Sequence, residues 1–509
     1  LDLFRTALRE GRLPEPAAPA ALDAASLETL FAALGGADER EAIAAMDLLA
    51  GAGRARLVPS FAVFHPSERV ALHALALFER SGRSDSLPAA DRLLGHPSPP
   101  LRAAALRVRT ALAPERELLR AAASDPSALV RATAAVGLAA LGVRGPEADG
   151  AVEALLSRGD AEAHLAVARA LAQRPVAAFD DVVRRLAGSP LPEVAAEAAR
   201  AMAASGDPRF LPALLPLLVP HDTRTAARAA FVAFGDAGLA FLEGVLADPA
   251  HPRAERLHVP RTISRFAPEQ AAPILLARLL EEPDGLVRFK ILRGLGRIVA
   301  DNPSAALDRA TLRRAIERTL EAAFRLVGWR KALVDGAREV PSRATPGHEL
   351  LALLLRDKER HAVDRLFRLL ALRFRDEDLE SVHHGLASED RRLRDSSREL
   401  LEHLLPRSWR DPILALVAEA PDEARLAGAG RFRGAAPAGY EALVAALLAA
   451  PGDTLRALAA FHAGEVGLTH LRGPIEQLRR EHPAGLVARS TARALDALST
   501  PQAEAAHAP

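Results

Sequence analysis

Six cations crowd two consecutive stretches of this chain: Arg261 and Arg265, then Arg288, Lys290, Arg293 and Arg297. Guanidinium forks bind carboxylates and phosphates at two points. Such a cluster can therefore hold an acidic partner, a lipid head group or a phosphate-bearing ligand. Arg261 and Arg265 stand one helical turn apart, as do Arg293 and Arg297, so each pair shares a helix face. These four are the leading binding candidates, and Arg325, Arg330 and Lys331 follow them. The competing reading is a ladder of Arg–Asp/Glu pairs between stacked elements, with Arg131 against Asp125 or Asp160 as its model. The ladder is favoured, because charges on helical faces are usually just solvated. Trp329 and Trp409 are rare large rings, readable equally as interface anchors or as core plugs.

Other chemistries find little support. A phosphate-cradling loop needs a Lys directly after Gly, and none of Lys290, Lys331 or Lys358 has that context. The pieces Gly51-Ala-Gly53, Gly294-Leu-Gly296 and Gly428-Ala-Gly430 lack the third glycine of a dinucleotide fingerprint. His383-His384 is the only adjacent His pair, with His361 and His403 nearby in sequence. Adjacent helical residues point about 100° apart and ligate poorly together, so surface or capping histidines are expected and no metal site is assigned. No Gly-x-Ser-x-Gly elbow appears, and no catalytic residue or cofactor is assigned. An Asp/His/Ser constellation assembled across elements stays open. A non-enzymatic role is expected.

Composition narrows the partners. The 509 residues carry 66 basic and 65 acidic side chains, a formal charge of +1. A dedicated nucleic-acid binder usually has a clear basic excess, so that class is disfavoured. The absence of cysteine removes disulfides, thiol nucleophiles and thiolate metal sites. No apolar run approaches the roughly 18 residues of a membrane span. The longest, Leu211–Leu218 and Ala442–Ala450, suit buried helices. A start at Leu-Asp-Leu-Phe-Arg, with no initiator Met and no signal-peptide apolar core, is expected to lie inside a longer gene product. The expected location is cytoplasmic, or the cytoplasmic face of a membrane.

The elements that must position these residues recur. A turn signal is followed four to six residues later by an apolar anchor inside an Ala/Leu-rich helix: His65-Pro66…Val70, His96-Pro97…Leu101, Asp125-Pro126…Val130, Asp160…Leu165, Ser189-Pro190…Val194, Asp222…Ala226, His251-Pro252…Leu257, Glu282-Pro283…Val287. The anchors step by 31, 29, 35, 29, 32, 31 and 30 residues. A fixed period in this range marks a solenoid whose units hide their apolar faces by stacking. Each unit reads as two antiparallel helices. From Ser189, Pro190 and Pro192 open a helix with Val194, Ala195, Ala198 and Met202 on one face, and Gly206 stops it. Asp207-Pro208 then starts a second helix with Leu211, Leu214, Leu215 and Leu218. With 4% aromatics, the core must be Ala, Leu and Val. The expected organisation is a linker over 1–25, a regular array over 26–300, an irregular long-helix insertion over 301–375, degenerate repeats over 376–499 and a disordered tail over 500–509.

The unit Asp125-Pro-Ser-Ala-Leu-Val-Arg-Ala-Thr-Ala-Ala-Val-Gly-Leu-Ala-Ala-Leu-Gly142 resembles HEAT repeats, including the short bacterial kind called PBS-lyase-like. The resemblance covers Ser26–Ile298 well and the rest loosely. It implies an all-α, HEAT-type α-solenoid whose second helices line a concave, partner-binding face. A narrower resemblance is carried by His258-Val-Pro-Arg-Thr-Ile-Ser-Arg-Phe266, by Glu282-Pro-Asp-Gly-Leu-Val-Arg-Phe-Lys-Ile-Leu-Arg-Gly-Leu295, and by Leu355-Arg-Asp-Lys-Glu-Arg-His361 with Arg365-Leu-Phe-Arg-Leu-Leu370. These resemble the soluble HEAT region of bacterial nucleotide (ATP/ADP) transporter-like membrane proteins. That implies a scaffold binding a protein partner or the membrane domain of its own chain. The alternatives are a free-standing soluble adaptor, or a HEAT-like enzyme such as a DNA glycosylase or chromophore lyase.

Overall fold

The computed structural model describes residues 24–157 and 159–499. Most of the expected linker over 1–25, and the expected tail over 500–509, lie outside the described residues. Among the described residues there is no strand. The chain divides into two units, one ending at Gly238 and one starting at Leu239.

The first unit contains α1 (Ala24–Leu34), α2 (Glu39–Gly51), α3 (Glu68–Ser81), α4 (Leu87–Leu93), α5 (Pro99–Leu112), α6 (Arg116–Ala122), α7 (Ala128–Ala140), α8 (Asp149–Ser157), α9 (Ala161–Gln173), α10 (Asp180–Ala187), α11 (Pro192–Ser205), α12 (Leu211–Leu214) and α13 (Arg224–Ala233). The division falls within α14 (Gly235–Ala247). The second unit contains α15 (Arg253–Arg256), α16 (Val259–Ile263), α17 (Pro268–Glu281), α18 (Gly285–Asp301), α19 (Arg309–Glu339), α20 (Pro346–Arg373), α21 (Leu379–Leu386), α22 (Arg391–Leu404), α23 (Arg407–Val417), α24 (Asp422–Ala427), α25 (Tyr440–Ala449), α26 (Asp453–Val466), α27 (Arg472–Glu481) and α28 (Gly485–Ser499).

Four of the repeat turns are chains of small hydrogen bonds. The residue before Pro carries an acceptor that takes the N–H two residues on: His65 Nδ1 from Ser67 at 3.0 Å, His96 Nδ1 from Ser98 at 3.1 Å, Asp125 from Ser127 at 2.8 Å and Glu282 from Asp284 at 2.9 Å. That next residue then caps the helix. Ser127 accepts from the Leu129 N–H at 3.2 Å and Asp284 from the Leu286 N–H at 2.8 Å, each satisfying an orphan donor of the first turn.

An arginine closes the turn from the other side. Arg102 donates to the carbonyls of His96 and Pro97 at 2.8 and 3.0 Å, and Arg131 to those of Asp125 and Pro126 at 2.8 and 2.7 Å. Arg288 does the same with Glu282 and Pro283, and Arg394 with Ser388 and Glu389. The Arg131 expected to pair with Asp125 or Asp160 side chains thus holds backbone instead. The Asp125 carboxylate is taken by Arg102 of the preceding repeat, at 2.8 and 3.0 Å.

In the first unit the long helices α3, α5, α7, α9, α11 and α13 pack on one another in succession. Small side chains allow it: α5 buries Ala103, Ala104 and Ala105, and α7 buries Ala132, Ala134 and Ala135. The shorter α4, α6, α8 and α10 form a second layer against them. Leu106, Leu119 and Leu138 are fully buried, each contributing about 1.5–3 kcal/mol of transfer energy.

In the second unit α19 and α20 form a long hairpin of 31 and 28 residues. Two polar clusters fasten it. In the first, Arg330 on α19 donates to Glu359 on α20 at 2.7 Å and to Asp422 at 2.9 Å, while Arg425 on α24 donates to the other oxygen of Glu359. Arg330, Glu359 and Arg425 are all buried, so Arg330 is a structural ion-pair partner and not part of an open basic surface. Losing one member would strand an uncompensated buried charge, at a cost of about 3–5 kcal/mol. In the second, His462 on α26 is 0% exposed. Thr345 Oγ1 lies 2.9 Å from its Nδ1, and Tyr440 Oη hydrogen-bonds its Nε2. Glu465 accepts from the Gly347 N–H at 2.9 Å. The neutral ring uses one nitrogen as donor and one as acceptor. No single described helix is long and apolar enough to cross a membrane.

Two predictions follow from these contacts. Replacing Arg131 by Ala removes two charge-assisted hydrogen bonds and should cost about 2 kcal/mol in urea unfolding. Arg131→Lys, whose compact ammonium is more strongly hydrated than a guanidinium, should recover less than half, and an unchanged midpoint in the Ala variant would refute the clamp. His462 gives a pH signature. Burial lowers its pKa from 6.5 to about 4, against a smaller opposing pull from Glu465. A depressed histidine contributes stability above pH 6.5 that is lost as pH falls toward 4, since the unfolded chain binds the proton first. The loss should be roughly 3 kcal/mol. Unfolding of His462→Gln compared with the parent across that window should show a flatter profile, and parallel profiles would remove the assignment.

Candidate binding surfaces

The six predicted cations do not form one surface. Arg261 and Arg265 come from the five-residue α16 and the turn after it, and Arg293 and Arg297 from α18. The two helices approach closely at Gly294, where a Cβ would stand 3.0 Å from the Pro260 carbonyl oxygen. That approach gathers the four arginines. Burial holds the Arg261 guanidinium below its usual range, and repulsion from Arg297, Arg265 and Arg293 adds to it. Arg297 pairs with Asp301 at 2.8 Å. Arg265 and Arg293 are exposed. Lys290 stands three residues before Arg293, on the same face by helical spacing. Arg288 is separated from this group, because its Nη1 holds the turn carbonyls and the residue faces α20.

The ladder of interrepeat pairs does exist, at other positions. Arg253 reaches Asp284 at 2.6 Å, Arg185 reaches Glu153 at 2.5 Å and Arg120 reaches Glu147 at 3.2 Å. Arg265, Lys290 and Arg293 take no part in it.

Trp409 is 5% exposed, so it plugs the core and presents no face to a partner. Trp329 is half-buried against α25 and its neighbours, with the Arg325 guanidinium 5.6 Å from its ring centre. His383 stacks on Phe367 at 4.4 Å, and burial lowers its pKa. Among the described residues no group of three His, Asp or Glu side chains is placed to hold a metal.

A surface that single-residue reasoning missed runs along the long helices of the first unit. A groove of about 560 Å³ crosses α3, α5, α7, α9 and α11. Leu72, Ala76, Leu129 and Ala170 give it apolar wall, and Arg69, Arg107, Arg169, Glu68 and Glu197 give it charge. The charges are largely matched within it. Arg107 lies 3.4 Å from Glu79, Arg169 lies 3.7 Å from Glu197, and His73 lies 2.8 Å from Asp47. The repeat held the signal: Arg69, Pro100 and Leu129 each directly precede an apolar anchor, Val70, Leu101 and Val130. The residue before the anchor points along the helix layer's open side while the anchor itself is buried.

The family model described as HEAT repeats matches residues 148–233, which span α8 to α13. No curated protein matches this chain. Solved structures that are similar include Kap121p bound to Nup53p, 13% identical with a TM-score of 0.24, covering 98% of this chain and 74% of that one. The karyopherin Kap121p bound to the SUMO protease Ulp1p is also 13% identical, with a TM-score of 0.24, covering 98% of this chain and 68% of the other. Scores at this level carry nothing about partners. The helical pairs, their period and the HEAT match together make the fold an all-α, HEAT-type solenoid.

Proposed function

We propose that this chain is a non-enzymatic scaffold that binds a protein partner, or another segment of its own chain, along the groove of α3–α11. The observation that supports this reading best is the groove itself. The helices α3, α5, α7, α9 and α11 contribute to it, and apolar positions alternate with partly exposed ion pairs. An extended or helical peptide of mixed charge can bury Leu72 and Leu129 and exchange the ion pairs for its own. A near-balanced rim suits such a peptide better than a polyanion, which would meet Glu68, Glu79 and Glu197.

A finer form of the proposal places the array at the cytoplasmic face of a membrane, as the regulatory or assembly region of a nucleotide-transporter-like protein. It is supported by the resemblance of the stretches around His258–Phe266, Glu282–Leu295 and Leu355–Leu370. The exposed Arg265 and Arg293, with the partly exposed Lys290, would then meet an acidic surface of that membrane domain.

A photo-crosslinking amino acid at Leu72 or Leu129 in source cells should trap one partner band, and the same group at Arg200 or Arg184 should not. Leu72→Glu with Leu129→Glu should reduce that band at least tenfold while leaving helical circular dichroism unchanged. Equal labelling at all sites would overturn the groove reading. Changing Arg261, Arg265, Arg293 and Arg297 to Glu tests the finer form. A trapped membrane protein that is lost in this variant supports it, and a soluble partner retained in full would sink it.

A further inference from the structure

The second unit holds three cations that make no ion pair among the described residues, although Glu282 and Asp284 attract Arg288, Asp357 attracts Lys358 and Asp364 attracts Arg365. Lys358 and Arg365 stand seven residues apart on α20 and therefore share one face of it. Arg288, on the first turns of α18, faces them across the α18–α20 contact. Neither Lys358 nor Arg365 makes a hydrogen bond or an ion pair to any described residue. Both are only partly exposed.

The carboxylates that attract these cations also have other partners. Glu282 accepts from Arg256 and from the Asp284 N–H. Asp284 accepts from Arg253 and caps α18. Asp357 lies 3.5 Å from His361, and Asp364 lies 3.7 Å from His383. Asp453 exerts its charge on Arg253.

A third element points into the same place. Gly452, at φ +107°, is the N-cap of the 14-residue α26 and supplies no side-chain cap. A Cβ on Gly452 would lie 3.4 Å from the Lys358 ammonium nitrogen. An ammonium beside the positive end of a helix is unfavourable, and the first N–H groups of that helix have no intrahelical acceptor. Burial lowers the pKa of Lys358, and repulsion from Arg365 and Arg288 lowers it further. Burial together with Arg288 takes Arg365 down to about 10. Three repelling cations and an uncapped helix end are the arrangement that a tetrahedral dianion resolves.

We propose that Arg288, Lys358, Arg365 and the N-terminus of α26 form a binding site for a small phosphate-bearing anion. A guanidinium from α18 and a guanidinium and an ammonium from α20 supply charge, and the α26 backbone N–H groups supply directional donors. The Arg288 guanidinium keeps its turn carbonyls through one nitrogen, Nη1, which leaves other donors of the fork for the anion. Gly452 is required twice, for its positive φ and to keep the approach to Lys358 open. This site lies apart from the first-unit groove and does not depend on the proposed protein partner.

Thermal unfolding of the full chain with inorganic phosphate and with pyrophosphate, against sodium chloride at matched ionic strength, tests it. Phosphate should raise the midpoint by several degrees, with saturation, and Lys358→Gln and Arg365→Gln should each weaken the apparent affinity at least tenfold. Arg265→Gln with Arg293→Gln should leave it unchanged. If the first pair of variants fails to fold, ³¹P line broadening of inorganic phosphate by the parent chain, displaced by pyrophosphate, gives the same answer. No phosphate-specific shift, or a shift that survives both α20 variants, overturns the site. Flotation with vesicles containing phosphatidylinositol phosphate separates the sources. Binding to the vesicles without any response to free phosphate or pyrophosphate would overturn a small soluble ligand.

Discussion

One arginine Nη1 bridging two turn carbonyls is the contact on which the repeat geometry rests. A helix ends with carbonyls that have no intrahelical donor, and the proline that follows brings no N–H of its own. The turn therefore needs donors from elsewhere. Arg102, Arg131, Arg288 and Arg394 supply them from the first turns of the next helix, six residues on. One side chain thus ties the turn that ends one helix to the start of the next. The acceptor before Pro and the Ser or Asp cap after it fix the same turn from its N–H side. Repeats without the arginine keep the N–H side of the turn: the His65 turn has both the acceptor and the Ser67 cap, and the Ser189 turn has the acceptor.

Once the repeats are set, the chain's many guanidiniums meet different fates, and burial decides among them. Arg256 and Arg330 lie deep enough that an unpaired charge would cost several kcal/mol, and both have carboxylates within 2.7 Å. Interrepeat pairs such as Arg185–Glu153 are exposed, so each contributes at most about 1 kcal/mol. Arg265 and Arg293 lie in water and need no partner. Arg288, Lys358 and Arg365 fall between these cases. They are too enclosed for water to screen them fully, and the carboxylates that attract them form no ion pair with them. That intermediate burial, and not the number of charges, distinguishes the three.

Much of the fold was legible because the repeat is a local property. The turn residues, the Pro starts and the apolar anchors act within one helix pair, so their period is visible in a linear chain. The long helices Arg309–Glu339 and Pro346–Arg373 are likewise written in unbroken helical spacing. The roles of single polar residues were less legible. Arg330 reads like its neighbours Arg325 and Lys331, yet Asp422, ninety-two residues away, pairs with it. Trp409 was balanced between anchor and plug, and its burial makes it a plug. Arg131 has acidic side chains in reach by sequence, and backbone carbonyls compete better because the turn leaves them unpaired.

The sequence by itself determined the secondary structure, the repeat and the small-residue core, since capping, helical spacing and Ala-mediated packing depend on near neighbours. It also determined that no cysteine chemistry is available. Only the tertiary structure decided which cations are spent and which are left over. The α16–α18 approach at Gly294 gathers Arg261 with Arg297, and the α18–α20–α26 packing gathers Arg288, Lys358 and the Gly452 helix end. Charge pairing and desolvation depend on distance in space, and no spacing along the chain encodes whether a carboxylate from another helix has already been taken.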